Sequence, residues 1–303
     1  MNGVLVVGSL NYDYQISTEQ LPKMGETILG NAIHYSCGGK GANQAYASAK
    51  AEAPTTMIGA VGSDQYGGIL KANLKKAGVS TDNIETIENE SSGMSFLSID
   101  SDGQNSIICI QGANKYVSKN QMLRNASEFK SNRIVLLQLE IPTEAVYEAI
   151  GQAKRFGDSV ILNPAPYHPI DSSYLQMVDY ITPNEMELSS LAPDYVTIED
   201  KASSLIEEGV KNVIVTLGAR GALLVDSKGE KKYFVPPTVK VVNTVGAGDC
   251  FNGYLAALLS KGYSVEEAIS VANIASSISV EKAGAQESIP DMKEVRSFQA
   301  AGM

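Results

Sequence analysis

The chain predicts an α/β fold: a doubly wound, mostly parallel sheet with a small second β-sheet set over it as a lid. Three observations carry this. Short β-branched runs alternate with helical stretches through most of the 303 residues, the pattern of strands crossed over by helices on both faces of a sheet. Two strand-like runs flank Ser101-Asp102-Gly103, and Asp-Gly between such runs signals a hairpin. Two more strand-like runs near the N-terminus have few helix signals between them.

Val4 to Val7 reads as a first buried strand. Tyr12 to Ile16 and Ile28 to Cys37 are strand-like. Ala42 to Ala51 is Ala-rich and helical, and Thr55 to Gly59 returns to strand. Tyr66 to Ala77 is helical and stops at Gly78. Met94 to Asp100 and Asn105 to Ile110 form the hairpin pair. Ile134 to Leu139 is a strand, Thr143 to Arg155 a helix, Val160 to Leu162 a strand. Ile198 to Glu208 is helical, ending near Gly209, and Val213 to Leu217 is a strand. Val239 to Val242 reads as a strand leading into a glycine pair and an apolar helix. Ser264 to Val280 is a long helix that Ser264 and Glu267 open as a capping box. The four strands without helices place a lid at 12–37 and 93–111, leaving 1–11, 38–92 and 112–303 to the α/β domain; a decorative hairpin extension is the alternative. Ligands of such sheets sit beyond the C-terminal strand ends.

Composition narrows the function. A net charge of −10 argues against nucleic acid or an anionic membrane as the main partner, since either needs a basic face. Cys37, Cys109 and Cys250 are far apart with no C-x-x-C spacing, which reads as reduced thiols in a cytoplasmic protein without a zinc site. Only His34 and His168 occur, which disfavours histidine-based catalysis. No apolar run approaches the roughly 18 residues of a membrane span. The opening MNGVLVVGSLN lacks the basic start of a signal peptide.

Two glycine-rich runs carry the chemistry. In NTVGAGDCFNGYLAALL, positions 243 to 259, Gly246 and Gly248 bracket one small residue, Asp249 follows, and a helix starts. Backbone N–H groups at a helix N-terminus favour an anion. A carboxylate beside an anion cradle suits a base that takes a proton from a hydroxyl attacking a bound phosphate. Read alone, the run also fits a Gly-rich turn with Asp249 as an N-cap. In GGKGANQA, positions 38 to 45, Gly38 and Gly39 permit close approach of a ligand, while Lys40 and Asn43 suit hydroxyls; read alone, a solvated helix start fits as well. A dinucleotide-dependent oxidoreductase fails, because GSLNYD follows the first strand where G-x-G-x-x-G is required.

Taken together the motifs resemble the ribokinase-type family of sugar kinases over nearly the whole length. They are GSLNYD (8–13), GGKGANQA (38–45), GAVGSDQYG (59–67), QLEIP (138–142), LNPAP (162–166), ITPNEMEL (181–188), VTLGARGALL (215–224), NTVGAGDCFNG (243–253) and GAQESIP (284–290). The resemblance implies ATP-dependent phosphorylation of the 5-hydroxyl of D-ribose. It makes Asp249 the base, and the N–H groups of Gly246, Ala247, Gly248 and Asp249 the anion hole. It puts Asn11, Asp13, Gly39, Lys40, Asn43 and Glu140, with Asp249, around the sugar. Carboxylates such as Asp13 and Glu140 can each accept from two hydroxyls. It puts Thr216, Gly218, Gly221, Asn184, Gly248 and Asn273 on the nucleotide side, and has Asn184 and Glu187 organise Mg²⁺ and phosphate through water. It also implies a homodimer paired through the lids, which would cover exposed sheet edges.

Two departures from the family stand out. Asn243 replaces the usual Asp that, with backbone carbonyls such as those of Val245 and Gly284 and a serine matching Ser288, helps hold an activating monovalent cation. The loss of formal charge predicts weaker potassium binding or activation. Tyr12 replaces a smaller residue at the lid's root and is expected to trim the sugar pocket. The competing substrates are deoxyribose, another pentose, a ketohexose derivative or a nucleoside; a nucleoside kinase would show apolar or aromatic residues where this chain has Asn11, Asp13, Lys40, Asn43 and Glu140. A catalytically weak sugar or nucleotide sensor is the competitor from another class.

Overall fold

The computed structural model describes residues 3–102 and 104–301. Its strands in chain order are β1 (Val4–Val7), β2 (Asn11–Ser17), β3 (Ala32–Gly38), β4 (Thr55–Gly62), β5 (Val79–Ile87), β6 (Gly93–Ile99) and β7 (Asn105–Ile110). They continue as β8 (Ile134–Leu137), β9 (Ser159–Leu162), β10 (Tyr180–Ile181), β11 (Asn212–Thr216), β12 (Ala222–Asp226) and β13 (Lys231–Phe234).

Nine strands form one sheet in the order β13-β12-β11-β10-β9-β8-β1-β4-β5. From β5 to β11 every pair is parallel; β12 and β13 are added antiparallel at one edge. The central β1 is buried on both faces, as a strand covered by helices on each side must be. Its alternation divides the core: Val4 and Val6 pack with the helices Lys40–Lys50, Ala247–Ser260 and Val265–Ser279, while Leu5 and Val7 pack with the helices Thr143–Phe156 and Ile198–Glu207.

The remaining four strands form a separate sheet, β3-β2-β6-β7, the expected lid. β6 and β7 pair antiparallel from Met94↔Ile110 to Ile99↔Asn105, as the Asp-Gly signal predicts; Gly103 of that signal lies outside the described residues. One lid face carries Tyr12, Tyr14, Tyr35 and Phe96, and Ile33, Ile108 and Ile110 on the same face are exposed. Tyr12 therefore does not trim the sugar pocket. Successive strand residues point to opposite faces, so Tyr12 leaves the face of Asp13 and stacks on Tyr66 of the helix Gln65–Ala77, with ring centroids 4.4 Å apart.

Two strand expectations are corrected. Residues 239–242 are irregular, and the Val242 and Asn243 N–H groups both donate to the Val280 carbonyl instead of joining a ladder; Val241 and Val242 are exposed there, so their β-branching has no sheet to pack on. The segment expected from Ile28 becomes a strand only at Ala32. Elsewhere boundaries move by a few residues, and Ser264 with Glu267 does form a capping box.

The helices Lys40–Lys50 and Ala247–Ser260 approach closely. A Cβ on Gly253 would lie 2.5 Å from the Ala47 Cβ and 2.5 Å from the Gln44 carbonyl. No side chain fits there, and the contact draws Asn43 and Gln44 toward the first turn of the helix that carries Asp249. The C-terminal ends of β1, β8, β9, β10 and β11 open on the same region.

Candidate active site

Gly246 is the N-cap of the helix Ala247–Ser260, with φ 79°, a left-handed conformation that glycine adopts without Cβ strain. Gly248 serves differently: nothing lies within 4 Å of where its Cβ would stand, and it lines an open cavity. A side chain there would fill the space in front of the helix. Among the described residues the N–H groups of Gly246, Gly248 and Asp249 have no partner, whereas that of Ala247 donates to the Thr244 carbonyl at 3.2 Å. The expected four-donor cradle is thus three free donors and one that is engaged. With the helix dipole behind them, free N–H groups at this end suit an anion.

Asp249 is buried at the third position of that helix, so it is not the N-cap. Its Oδ2 accepts from Asn43 Nδ2 at 2.9 Å and its Oδ1 from Gln44 Nε2 at 2.9 Å. Asn43, expected among the sugar ligands, is committed on both sides: its Oδ1 accepts from Gln286 Nε2 at 3.0 Å. Gln44 was not singled out by the sequence, although it stands next to Asn43 inside GGKGANQA.

The other residues expected around the sugar gather near Asp249. Glu140 Oε2 accepts from Ser9 Oγ and from the Lys40 N–H, the latter at 3.0 Å. Asn11 donates to Ser95 Oγ at 3.3 Å and accepts from Asn114 Nδ2 at 2.8 Å. Gly39, at φ 86°, packs so tightly that a Cβ would lie 2.7 Å from the Asn11 nitrogen. Asp13 occupies the space that Gly38 leaves: a Cβ there would overlap its Oδ2. Asp13 Oδ1 is buried without a partner. Burial, with a hydrogen bond from Ser95 opposing it and the charges of Glu140, Asp249 and Glu287 adding to it, pushes Asp13 up to about 7. This carboxyl lacks a donor at one oxygen, and a sugar hydroxyl is a donor of the kind it lacks.

Asp249 also opens on a cavity of about 780 Å³. Lys40, Asn184, Glu187, Thr216, Gly218, Gly221 and Asn273 all line it, with Gly246, Ala247, Gly248 and Asp249 at one end. Asn184 caps the helix Glu185–Leu191 in a reciprocal capping box with Glu187. Burial raises the Glu187 carboxyl; Lys40 and the Asn184 N–H oppose this and Asp249 reinforces it. Burial alone would lower Lys40, but the carboxylates of Asp249, Glu140 and Glu187 outweigh it and hold the ammonium above its ordinary value. Lys40 is therefore a fixed cation on the cavity wall. Gly221, at φ 88°, turns where a Cβ would overlap the Phe234 carbonyl. Asn273 donates to that carbonyl at 3.1 Å, so its amide holds the cavity wall. The cation-loop residues form local turns: Asn243 Oδ1 accepts the Val245 N–H at 2.9 Å, Ser288 Oγ donates to the Ala285 carbonyl at 2.9 Å, and Gly284 adopts φ 94°. Among the described residues no cluster of three or more His, Cys, Asp or Glu could hold a metal by itself, and no helix is long and apolar enough to cross a membrane.

A group of polar side chains near Asp249, a cavity of about 780 Å³ on which Asp249 also opens, and free N–H groups beside that buried carboxylate are what phosphoryl transfer to an alcohol needs. Residues 1–292 match the pfkB family of carbohydrate kinases. The chain is 37% identical over 297 residues to a ribokinase of Haemophilus influenzae, covering 97% of each chain. It is 37% identical over 301 residues to a deoxyribokinase of Salmonella typhi, covering 97% of this chain and 98% of that one. The crystal structure of a Thermotoga maritima ribokinase superposes with a TM-score of 0.91 at 40% identity, covering 98% of this chain and 99% of the other. An Arabidopsis thaliana ribokinase complexed with ribose and ATP gives 0.91 at 35% identity, with 98% of both chains covered. The chain belongs to the pfkB family of carbohydrate kinases and is an ATP-dependent sugar phosphotransferase.

Proposed function

We propose that this protein transfers the γ-phosphoryl group of ATP to the 5-hydroxyl of D-ribose, with Asp249 as the base. The observation that carries the reading is the grouping of the Asp13 carboxyl, one oxygen of which has no partner, with Glu140 and Asp249, whose charges act on it. Asn11, Glu140 and the Gly39–Lys40 backbone surround the sugar, and the lid strand β2 brings Asp13 over it. The lid excludes water, so ATP is not hydrolysed. Asp249 accepts the proton of the attacking hydroxyl as the oxygen bonds to phosphorus and ADP leaves. Lys40 and the free N–H groups of Gly246, Gly248 and Asp249 meet the charge on the phosphoryl oxygens. Thr216, Gly218, Gly221 and Asn273 support the nucleotide.

The residues also fit Mg²⁺. Each Glu187 oxygen accepts one hydrogen bond from Asn184 and keeps capacity for a water, which suits an ion that retains its own waters. When bound, the ion neutralises phosphate charge. Asn243 offers an amide oxygen without charge beside Val245, Gly284 and Ser288, so a monovalent cation is held weakly there. The exposed Ile33, Ile108 and Ile110 of the lid favour pairing with a second lid; a monomer at micromolar concentration in sedimentation experiments would remove that idea.

A second reading, 2-deoxyribose as the substrate, is favoured by the equal 37% identity to a deoxyribokinase. A panel of ribose, 2-deoxyribose, fructose and adenosine, followed by ADP release, separates the two. We expect ribose to exceed 2-deoxyribose by at least about tenfold in kcat/KM, and Asp249→Asn to lose about 10²- to 10⁴-fold. A 2-deoxyribose preference selects the second reading, and an unimpaired Asp249→Asn removes the base assignment. Ribose affinity is expected to rise with pH through about 7, because hydroxyls donate to the ionised Asp13 and binding releases its proton; isothermal titration from pH 6 to 8 with Asp13→Asn, whose affinity stays flat, checks this. Asn243→Asp should steepen the potassium dependence of the rate, and an unchanged titration would count against the weak-cation reading.

A further inference from the structure

Asp249 is the end point of two chains of side-chain amides, and every amide in them points the same way. In the first, Asn73 Nδ2 donates to Gln286 Oε1 at 2.6 Å, Gln286 Nε2 to Asn43 Oδ1 at 3.0 Å, and Asn43 Nδ2 to Asp249 Oδ2 at 2.9 Å. In the second, Gln138 Nε2 donates to Gln44 Oε1 at 2.6 Å and Gln44 Nε2 to Asp249 Oδ1 at 2.9 Å. Gln44 Nε2 also reaches Asn163 Oδ1 at 3.0 Å, and Asn163 in turn donates to the Thr182 carbonyl at 3.1 Å. Asn43, Gln44, Gln138, Asn163 and Gln286 are all buried.

The direction follows from the charge at the end. An ionised carboxylate only accepts, so Asn43 and Gln44 must each turn an NH₂ toward Asp249. Their carbonyl oxygens then face away and require donors, which fixes Gln286 and Gln138, and Gln286 in turn fixes Asn73. The second chain ends at a cost: Gln138 Oε1 is left buried with no partner, packed where a Cβ on Gly8 would overlap it. Reversing Gln138 would set its carbonyl oxygen against that of Gln44, two acceptors with no hydrogen between them. The orphan oxygen is what remains when the polarity toward Asp249 is kept.

We propose that Asn73, Gln286, Gln44 and Gln138 are positioning residues of the reaction, a polarised amide relay that fixes the direction of the Asp249 oxygens. This rests on the reading of Asp249 as the base. Hydrogen bonds aligned in one direction reinforce one another, so the relay stiffens the two bonds that aim the Asp249 oxygens. It also reaches outside the site: Asn73 lies on the half-buried side of the helix Gln65–Ala77, three hydrogen bonds from Asp249, and Gln286 sits between Gly284 and Ser288 in the loop at the other side.

The test reverses the relay from its far end. Asn73→Asp puts an acceptor-only group beside Gln286, which must swing its NH₂ outward, turn its oxygen on Asn43 and compete with Asp249 for the Asn43 NH₂. Asn73→Ala merely removes the outermost donor. We expect Asn73→Asp to lower kcat by at least about tenfold, with KM for ribose and for ATP within about twofold, and Asn73→Ala, which weakens the relay without reversing it, to lower kcat by about threefold at the same KM values. The two variants should melt within a few degrees of each other, so the difference is not one of folding. Equal kcat for the two variants would overturn the relay while leaving Asp249→Asn inactive and the base reading intact. A loss confined to KM would overturn it as well. Asp249→Asn with full activity would overturn both the base reading and this one.

Discussion

The structure turns on one buried charge. Asp249 stands in the first turn of a helix, inside a core formed by that helix and the helix Lys40–Lys50. An isolated carboxylate removed from water is heavily disfavoured, and this one has no ion pair within 4.0 Å among the described residues. Asn43 and Gln44 compensate with a hydrogen bond to each oxygen, and the positive end of the helix dipole adds to them. Hydrogen bonds to a charged acceptor are the stronger kind, about 1.5–3 kcal/mol each. Gly253 makes them possible, because a side chain there would push the two helices apart.

Two unpartnered oxygens bracket this arrangement and have different meanings. Asp13 Oδ1 belongs to the lid strand β2, in a carboxyl on which the charges of Glu140 and Asp249 act. Gln138 Oε1 is enclosed and stays unsatisfied, at about 1–3 kcal/mol. In the proposed reaction the first would receive a hydroxyl of the sugar. The second is a standing cost of keeping the amides turned toward Asp249. Lys40 stands on the cavity wall, charged because three carboxylates outweigh its burial, so the electrostatic field is set before either substrate arrives.

Much of this was legible in the sequence. The alternation of strand and helix signals located the parallel sheet, and the hairpin signal at 101–103 located the lid. The glycine runs located both helix starts at the junction, and the expected nucleotide-side residues do line one cavity. What escaped reading had little local signal. β13 is Lys-Lys-Tyr-Phe, polar and largely exposed, and β10 is two residues long; neither shows a period. Val239 to Val242 misled because β-branching marks a preference to pack on a sheet, and no strand neighbours that segment. The individual duties of Asn43, Gln44, Gln138 and Gln286 were hidden for another reason. Three of the four stand in motifs as glutamines without an assigned role, and their partners are 94 to 243 positions away. A period or a cap announces a local hydrogen bond; only the fold announces a distant one.

The central claim is that the pocket under the lid presents the 5-hydroxyl of ribose to Asp249 and to a phosphoryl group at the helix N-terminus. The most direct measurement is the structure of the product by phosphorus-31 and carbon-13 nuclear magnetic resonance after reaction with ribose and ATP. The account predicts a single phosphomonoester, with phosphorus coupled to carbon 5, formed in step with ADP. Phosphorus on another carbon, or ADP accompanied only by inorganic phosphate, would contradict it.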